Sequence, residues 1–388
     1  MYKRGLSISK SFHTLLFGAR GTGKTTFLQT YFEDEHTHWF DLLDLRIENR
    51  FRKNPASFSE ALQQLPPERK YIVVDEIQKL PKLLDIVHQI IQRQPERFVF
   101  ILTGSSARKL LHGGANLLAG RAFISKLFPL TYLELGSDFS LVKYLQSGGL
   151  PGLYRFSAES DMIEYLDAYA LTYLKEEIWS EQLVRNLDPF RNFIEVAAQA
   201  NGTIINYSRL ARLAGTTSKT VAQYFEILKE THLGLLLESY HTSVRKRIIS
   251  APKFYFFDPG VKRALDNTLT VPIVPGTYAF GYAFEHFIIT QIFFINEYMK
   301  KKFRLYYLAT KDGAEIDLIV EKPDKKIILI EIKSTEQSEN IEVTSLRRFQ
   351  QSIPGSEALC LSRDTLARKS GTLLFFPWQK GIEYIFEL

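Results

Sequence analysis

Cysteine is almost absent from this sequence: Cys360 is the only one in 388 residues. No disulfide can form within the chain, so a reducing, intracellular compartment fits and a cytoplasmic location is expected. Cys360 sits in the apolar run Ala358-Leu359-Cys360-Leu361, which reads as a packed strand residue and not as a reactive thiol. Long hydrophobic runs are missing too. Stretches such as Phe293-Phe294-Ile295 are far too short to cross a bilayer, and no membrane partner is expected. Near the N-terminus, Lys3 and Arg4 precede an apolar stretch that Ser7, Ser9, Lys10, Ser11 and His13 interrupt, so no signal peptide is expected. His36-x-His38 comes nearest to a metal-ligand pair among the histidines, but without a cysteine or third histidine close by it reads as a solvated loop. Charge of one sign is only mildly in excess. A net charge of +6 and a pI near 9.0 permit a nucleic-acid partner without demanding one.

What is present is an ordinary globular composition, 45% hydrophobic and 24% charged. The length allows two or three domains with sizeable cores. The first third alternates short apolar strands (residues 14–17, 38–43, 70–74, 97–102 and 122–128) with helical stretches, the signature of an α/β layer fold. From 161 to 179 the pattern turns helical, with Met162, Tyr165, Leu166, Tyr169 and Tyr173 on one stripe. Residues 190 to about 257 read helix, short helix, turn, longer helix, then two strands. Residues 270–281 carry Pro and Gly and read as a linker. The remainder reads helix, three strands, helix, strand, and no internal repeat or low-complexity tract appears.

Gly18-Ala19-Arg20-Gly21-Thr22-Gly23-Lys24-Thr25 matches the P-loop pattern G-x-x-x-x-G-K-[ST] in full. Its glycines let backbone N–H groups turn inward around phosphates, Lys24 reaches the β/γ oxygens, and the Thr25 hydroxyl ligates Mg²⁺. A strand precedes the motif, and a helix opens at Thr25-Thr26 with its N-terminal dipole facing the phosphates. Tyr71-Ile72-Val73-Val74-Asp75-Glu76 is an apolar strand ending in two carboxylates. Asp75 suits the Mg²⁺ shell, and Glu76 suits orientation or deprotonation of the attacking water. The strand at 38–43 lies between the two motifs, which points to P-loop enzymes with a catalytic glutamate beside the Mg²⁺ aspartate. Thr103 or Ser105, ending the strand at 98–102, is placed to sense a γ-phosphate. Arg108 and Arg121 follow that strand, and Arg121 is the preferred candidate for an arginine finger toward a neighbouring copy. ATP and Mg²⁺ are the cofactors this set implies.

Residues 208–215 and 216–228 read as a helix-turn-helix. Small Ala211 permits close helix crossing, Gly215 makes the turn, and Thr217 or Ser218 caps the second helix. Val221, Phe225 and Leu228 share one side of that helix. Ser218, Lys219, Thr220, Gln223 and Tyr224 are left outside, a set able to touch phosphates and base edges. Strands at 234–240 and 248–257 would form a wing whose basic turn carries Arg245, Lys246 and Arg247. A winged helix can instead serve as a packing module, and fold alone does not choose.

Near the C-terminus, residues 311–320 and 326–334 flank Lys322-Pro323-Asp324-Lys325, which is turn chemistry, so the two runs should pair as a hairpin. A turn centred on Asp324 sets Asp317 opposite Glu331 and Glu315 opposite Lys333. Alternation then places all four on one face, with Leu318, Val320, Ile330 and Ile332 on the other. Paired Cβ atoms lie about 5 Å apart. Two carboxylates that close are costly unless a divalent cation or a proton neutralises them. This is the D…E-x-K arrangement of restriction-endonuclease-like nucleases, with Asp317, Glu331 and Lys333 as its catalytic set. A helix at 341–352 and a strand at 357–361 follow, and Glu285 on the preceding helix stands where such nucleases often place another carboxylate for metal.

Several strings together resemble the prokaryotic AAA-type ATPases that carry a C-terminal domain of unknown function. They are Ile101-Leu102-Thr103-Gly104-Ser105-Ser106-Ala107-Arg108, Leu118-Ala119-Gly120-Arg121-Ala122, Phe128-Pro129-Leu130-Thr131, Gly148-Gly149-Leu150-Pro151, Tyr173-Leu174-Lys175-Glu176-Glu177-Ile178 and Phe254-Tyr255-Phe256-Phe257-Asp258. The resemblance covers nearly the whole chain. It implies a P-loop AAA-type parallel-sheet core over 1–135, a helical lid or connector over 136–185, a winged helix over 186–265 and a PD-(D/E)xK-like α/β domain over 266–388. Two readings follow. One is an ATP-regulated enzyme on DNA with a metal-dependent nuclease. The other is a switch-like ATPase whose C-terminal domains only bind a protein or nucleic acid. Further copies of the chain are a third candidate partner.

Overall fold

The computed structural model describes residues 2–32, 34–105, 118, 120–173, 187–241, 250–310, 312–337, 341 and 343–388. They form two compact units. The first comprises Met1–Leu130, Leu150–Gly152 and Ile227–Leu233; the second comprises Thr131–Gly149, Leu153–Glu226 and Gly234–Leu388.

The first unit is built on five strands: β1 (His13–Phe17), β2 (Thr37–Asp41), β3 (Tyr71–Asp75), β4 (Val99–Gly104) and β5 (Ala122–Lys126). They pair in the order β2-β3-β4-β1-β5, every pair parallel. Parallel strands need crossover connections, and the helices these supply cover both faces of the sheet. Central strands must therefore be apolar on both sides. Ile72, Val73 and Val74 of β3 accordingly have no exposed surface. The helices Leu45–Lys53 and Ala56–Gln63 bring Phe51 and Phe58 onto Phe40 of β2, ring edges to faces at 5.0–5.6 Å. The α/β class and parallel sheet match the sequence reading, with strand ends differing by at most two residues.

The second unit holds a mixed sheet of eight strands, β12-β13-β11-β10-β9-β8-β6-β7. In chain order these are β6 (Gly234–Ser239), β7 (Lys253–Phe256), β8 (Arg304–Ala309), β9 (Glu315–Glu321), β10 (Ile327–Ile332), β11 (Glu357–Ser362), β12 (Arg368–Ser370) and β13 (Leu373–Pro377). Two strands and the closing helix Trp378–Phe386 go beyond the expected three-strand, helix, strand ending. Arg368-Lys369-Ser370 carries no strand pattern by itself, whereas Leu373–Pro377 is a short apolar run that periodicity alone does not assign. The larger difference concerns the middle segment. β6 and β7 form an antiparallel hairpin, but β6 also pairs in parallel with β8 through Glu238↔Tyr306 and Ser239↔Tyr307. A sheet edge with unpaired N–H and C=O groups recruits a partner, so one sheet runs across the expected boundary at 265/266. The helical reading from 161 holds as Glu159–Ala168, then widens into a π-helical turn at Tyr169–Tyr173; positions from 174 to 179 lie outside the described residues.

Two of the recognised strings meet in this unit. Asp258, fully buried, accepts from Gly149 N at 2.7 Å and caps the helix Pro259–Leu265 through Val261 N at 3.0 Å. A Cβ at Gly148 would fall 2.1 Å from its carboxylate, so only glycine fits. The helix Tyr278–Met299 is long and apolar enough to cross a membrane by length and composition. Its buried polar side chains are partnered within the unit: Gln291 accepts from Tyr132 N at 2.9 Å and donates to Tyr144 Oη at 3.1 Å. These contacts are those of a core helix.

Candidate functional site

Because β1, β3 and β4 run parallel, their carboxyl ends lie along one edge of the first sheet, where ligands sit in open α/β folds. The P-loop leaves β1 at that edge. Leu127 N donates to Phe17 O at 2.7 Å, which brings β5's extension so close that a Cβ on Gly18 would meet Leu127 O at 2.2 Å. Gly21 and Gly23 have φ of +75° and +88°, a left-handed backbone that side chains disfavour. Ala19 is buried and Arg20 exposed. Thr22 Oγ1 closes the turn on Ala19 O at 2.7 Å. Lys24, 6% exposed, turns its Nζ onto Gly18 O at 2.8 Å and Ala19 O at 3.3 Å. The helix Lys24–Tyr31 opens without a side-chain cap, leaving its first N–H groups directed at the loop.

Thr25 Oγ1 donates to Asp75 Oδ2 at 2.7 Å, and the helix continues through half-buried Thr26. Thr103, at the end of β4, donates to the other oxygen of Asp75 and accepts from Glu76 N at 3.1 Å. Glu76 has φ +60°, and its carboxylate accepts from the Gln78 amide, which also donates to Ser105 Oγ at 3.0 Å. So Thr103 stands between the two acidic residues, while Ser105 is tied to Gln78. Arg121 donates to His88 Nε2 at 2.6 Å, and Arg108 lies outside the described residues. Three residues here carried no sequence signal. Arg4 clamps the loop through Thr22 O at 2.8 Å and Phe128 O at 2.6 Å. Gln78 holds Glu76. His232 stacks on Phe17 at 6.0 Å, and its Nε2 is buried without a partner among the described residues. Burial, with Lys126 and Lys24 nearby, lowers its pKa to about 3.

The helices Tyr207–Ala214 and Ser218–Glu230 flank Gly215, whose φ is +68°. Thr217 Oγ1 accepts from Thr220 N at 3.2 Å, so Thr217 is the cap. Ser218, Lys219 and Gln223 are exposed and Thr220 half-buried. Tyr224 corrects the sequence reading. It is 6% exposed and packs on Phe190 and Phe193 at 4.9 and 5.1 Å, because positions 221, 224, 225 and 228 share one helical face. Arg245, Lys246 and Arg247 lie outside the described residues.

The C-terminal hairpin pairs Ile327↔Glu321 through Ile330↔Leu318, a register that, continued one step, sets Asp317 across from Glu331. Asp317 Oδ2 accepts from Ile332 N at 2.7 Å. Glu331, 8% exposed, pairs with Lys333 Nζ at 2.6 Å, and its Oε2 is buried without a partner among the described residues. Burial, with Glu285 and Glu331 close, pushes the Asp317 carboxyl well above its usual range. Burial raises Glu331 too, against the pull of Lys333. Glu285 faces the same cluster but is engaged: Tyr255 Oη donates to its Oε1 at 2.7 Å and Lys253 Nζ stands 3.4 Å away. Among the described residues no three carboxylates, imidazoles or thiols are gathered as a ready metal shell. Of the expected trio of Glu285, Asp317 and Glu331, Glu285 already has partners of its own through Oε1. A cavity of about 760 Å³ opens beside the cluster, lined by Asp317, Lys333, Glu285, Arg363, Tyr278 and Tyr282 among others. Lys253 and Tyr255 were missed from sequence, being on a strand of the middle segment.

One buried group makes acid sensitivity testable. His286 Nε2 donates to Phe256 O at 2.6 Å, and burial lowers its pKa to about 4. The unfolded imidazole takes a proton below about 6.5 while the folded one stays neutral. Stability should therefore fall as pH drops from 6.5 toward 4, by up to about 1.4 kcal/mol per pH unit from this group. Thermal melts at pH 7.5 and 5.0 should show a smaller loss in His286→Gln than in the unsubstituted protein; equal losses would refute the assignment.

Residues 11–136 match the family model described as AAA domain, 138–270 a domain of unknown function (DUF8612), and 280–378 a second one (DUF4143). The chain is 25% identical over 313 residues to an uncharacterized protein of Mycobacterium tuberculosis, covering 79% of this chain and 67% of that one. An uncharacterized protein of Methanocaldococcus jannaschii is 24% identical over 415 residues, with 94% and 83% covered. Among solved structures, a Thermotoga maritima RuvB aligns at 19% identity and a TM-score of 0.30, covering 58% of this chain and 81% of that one. Drosophila ORC bound to AT-rich DNA and Cdc6 aligns at 12% and 0.22, covering 67% and 86%. Together with the P-loop and its parallel sheet, the family match makes residues 11–136 an AAA-type ATPase-like domain.

Proposed function

We propose that this chain hydrolyses ATP at the P-loop with Asp75, Glu76 and Thr103, and that its second unit acts on DNA through a winged-helix surface and a Mg²⁺-dependent nuclease-like site. The observation that carries the ATPase reading is the hydrogen-bonded chain from Thr25 through Asp75 and Thr103 to the Glu76 backbone. An hydroxyl and a carboxylate 2.7 Å apart suit one small, hard cation. Mg²⁺, when bound, neutralises charge on the transferred phosphoryl group. Lys24 exchanges its loop carbonyls for phosphate oxygens, and Glu76 orients the attacking water.

For the second unit, support comes from Asp317 and Glu331 on paired strands, Lys333 two residues along, and the unpartnered Glu331 Oε2. That donor set suits a divalent cation, which would polarise a phosphodiester when bound. Lys333 would stabilise the charge that develops. Ser218, Lys219, Thr220 and Gln223 are the candidate DNA contacts. One observation favours the binding-only alternative: Glu285 is already engaged by Lys253 and Tyr255.

The test is cleavage of supercoiled, linear and single-stranded DNA with and without Mg²⁺ and ATP. Mg²⁺-dependent cutting should vanish in Asp317→Ala and Lys333→Ala while ATP turnover is largely retained. If the unsubstituted protein cuts nothing, the binding-only reading replaces this one. Lys219→Ala should weaken duplex retention uniformly and reduce the salt slope by about one; an unchanged slope removes Lys219 from the interface.

A further inference from the structure

Lys253 begins β7, yet its side chain, 5% exposed, ends among the carboxylates of the C-terminal sheet. Its Nζ stands 3.4 Å from Glu285 Oε1 and in contact with Glu315 Oε1. Tyr255, two residues on and so on the same face of the strand, donates to Glu285 Oε1 at 2.7 Å. The Lys253 ammonium also lies 5.6 Å from the Tyr307 ring, and Tyr307 Oη is anchored on Ala251 O at 2.6 Å. A buried ammonium persists only where it is paired, and here the pairing is double.

The cluster then sorts into two halves. Glu285 and Glu315 are matched by Lys253; Asp317 and Glu331 share Lys333, which bonds Glu331 Oε1 at 2.6 Å. Four carboxylates against two lysines leave two without a cation, the complement of one divalent ion once both are ionised. In the second half the buried Oε2 of Glu331 has no partner among the described residues, and Asp317 lines the cavity beside it.

We propose that Lys253 is a tethered cation standing where a second metal ion would otherwise sit, so that the cluster takes a single divalent cation, at Asp317 and Glu331. Glu285 and Glu315 hold the lysine and not the metal. This inference rests on the metal-binding reading of the second unit and specifies its stoichiometry. It also gives the middle segment a role in the site, since the residue that completes the charge balance comes from β7.

Mn²⁺ binding to the nucleotide-free full chain tests it, counted by the electron paramagnetic resonance of free Mn²⁺ in a Thr25→Ala background that silences the P-loop position. The otherwise unsubstituted chain should bind one ion, lost in Asp317→Asn. Lys253→Met keeps the side chain's length without its charge and should bind a second ion; Lys253→Arg should remain at one. Should Lys253→Met fold poorly, Lys253→Met with Glu285→Gln removes one of the uncompensated charges and should return to one ion. Two ions with Lys253 present, or one ion at unchanged affinity in Lys253→Met, overturns the tethered-cation role and leaves the metal reading standing. No ion with or without Lys253 overturns both.

Discussion

Glu76→Gln should bind ATP as the unsubstituted protein does and turn it over about 10²–10⁴-fold more slowly, the range for losing a general base. The expectation follows from how Glu76 is held. It follows a strand buried from Ile72 to Asp75 and has φ +60°, its N–H is fixed on Thr103, and its carboxylate is fixed on Gln78. Glutamine has the same shape, so the loop should stay in place while the acceptor for a water proton is lost. Lys24→Ala should act earlier in the cycle. Its ammonium is buried against the loop carbonyls, the position from which it would meet a phosphate. Saturating ATP stabilises a binder by about 2.7 kcal/mol at 100 times Kd, so Lys24→Ala should lose the ATP-dependent thermal shift that Glu76→Gln keeps. Full turnover in Glu76→Gln would refute the base assignment, and no shift in the unsubstituted protein would refute the site.

Asp317→Asn should make the metal-free protein more stable while removing metal-dependent cleavage. Burial and the neighbouring Glu285 and Glu331 raise the folded carboxyl's pKa well above its unfolded value. The stability such a group contributes is present below the unfolded pKa near 4 and is lost as pH rises through the folded one. At neutral pH the unfolded chain has released a proton that the folded chain retains or releases at a cost. Asparagine has no proton to release, and its carbonyl can still accept from Ile332 N as Asp317 Oδ2 does at 2.7 Å. A gain on the order of 1 kcal/mol is expected, a few degrees in Tm, shrinking as pH falls toward 4. Melts of the metal-free proteins at pH 7.5 and 4.5 measure it. A Tm at or below that of the unsubstituted protein at pH 7.5 would mean that Asp317 is not held as a costly buried acid.

The two motifs of the first unit were legible because their chemistry is local. Gly18 to Thr25 must be this loop for its backbone to turn, and the apolar run ending in Asp75 and Glu76 must be a buried strand. That Thr103, and not Ser105, stands between Asp75 and Glu76 was not legible. Its role depends on β4 lying between β1 and β3, and strand order in a parallel sheet is decided by crossovers and packing, not by the strand's own residues. The hairpin of Asp317 and Glu331 could be counted from its turn, since register in a tight hairpin follows from the turn's position. Tyr224 was misread although its spacing from Val221 and Phe225 already placed it on the buried face. By itself, then, the sequence determined the P-loop, the acidic strand end, the α/β class and the C-terminal hairpin, each the product of contacts a few residues apart. Only the tertiary structure decided that β6 joins the C-terminal sheet and that Lys253 balances Glu285 and Glu315. Those are pairings between segments separated by 30 to 70 positions, where an unpaired sheet edge and an uncompensated buried charge are satisfied by whatever the fold brings within reach.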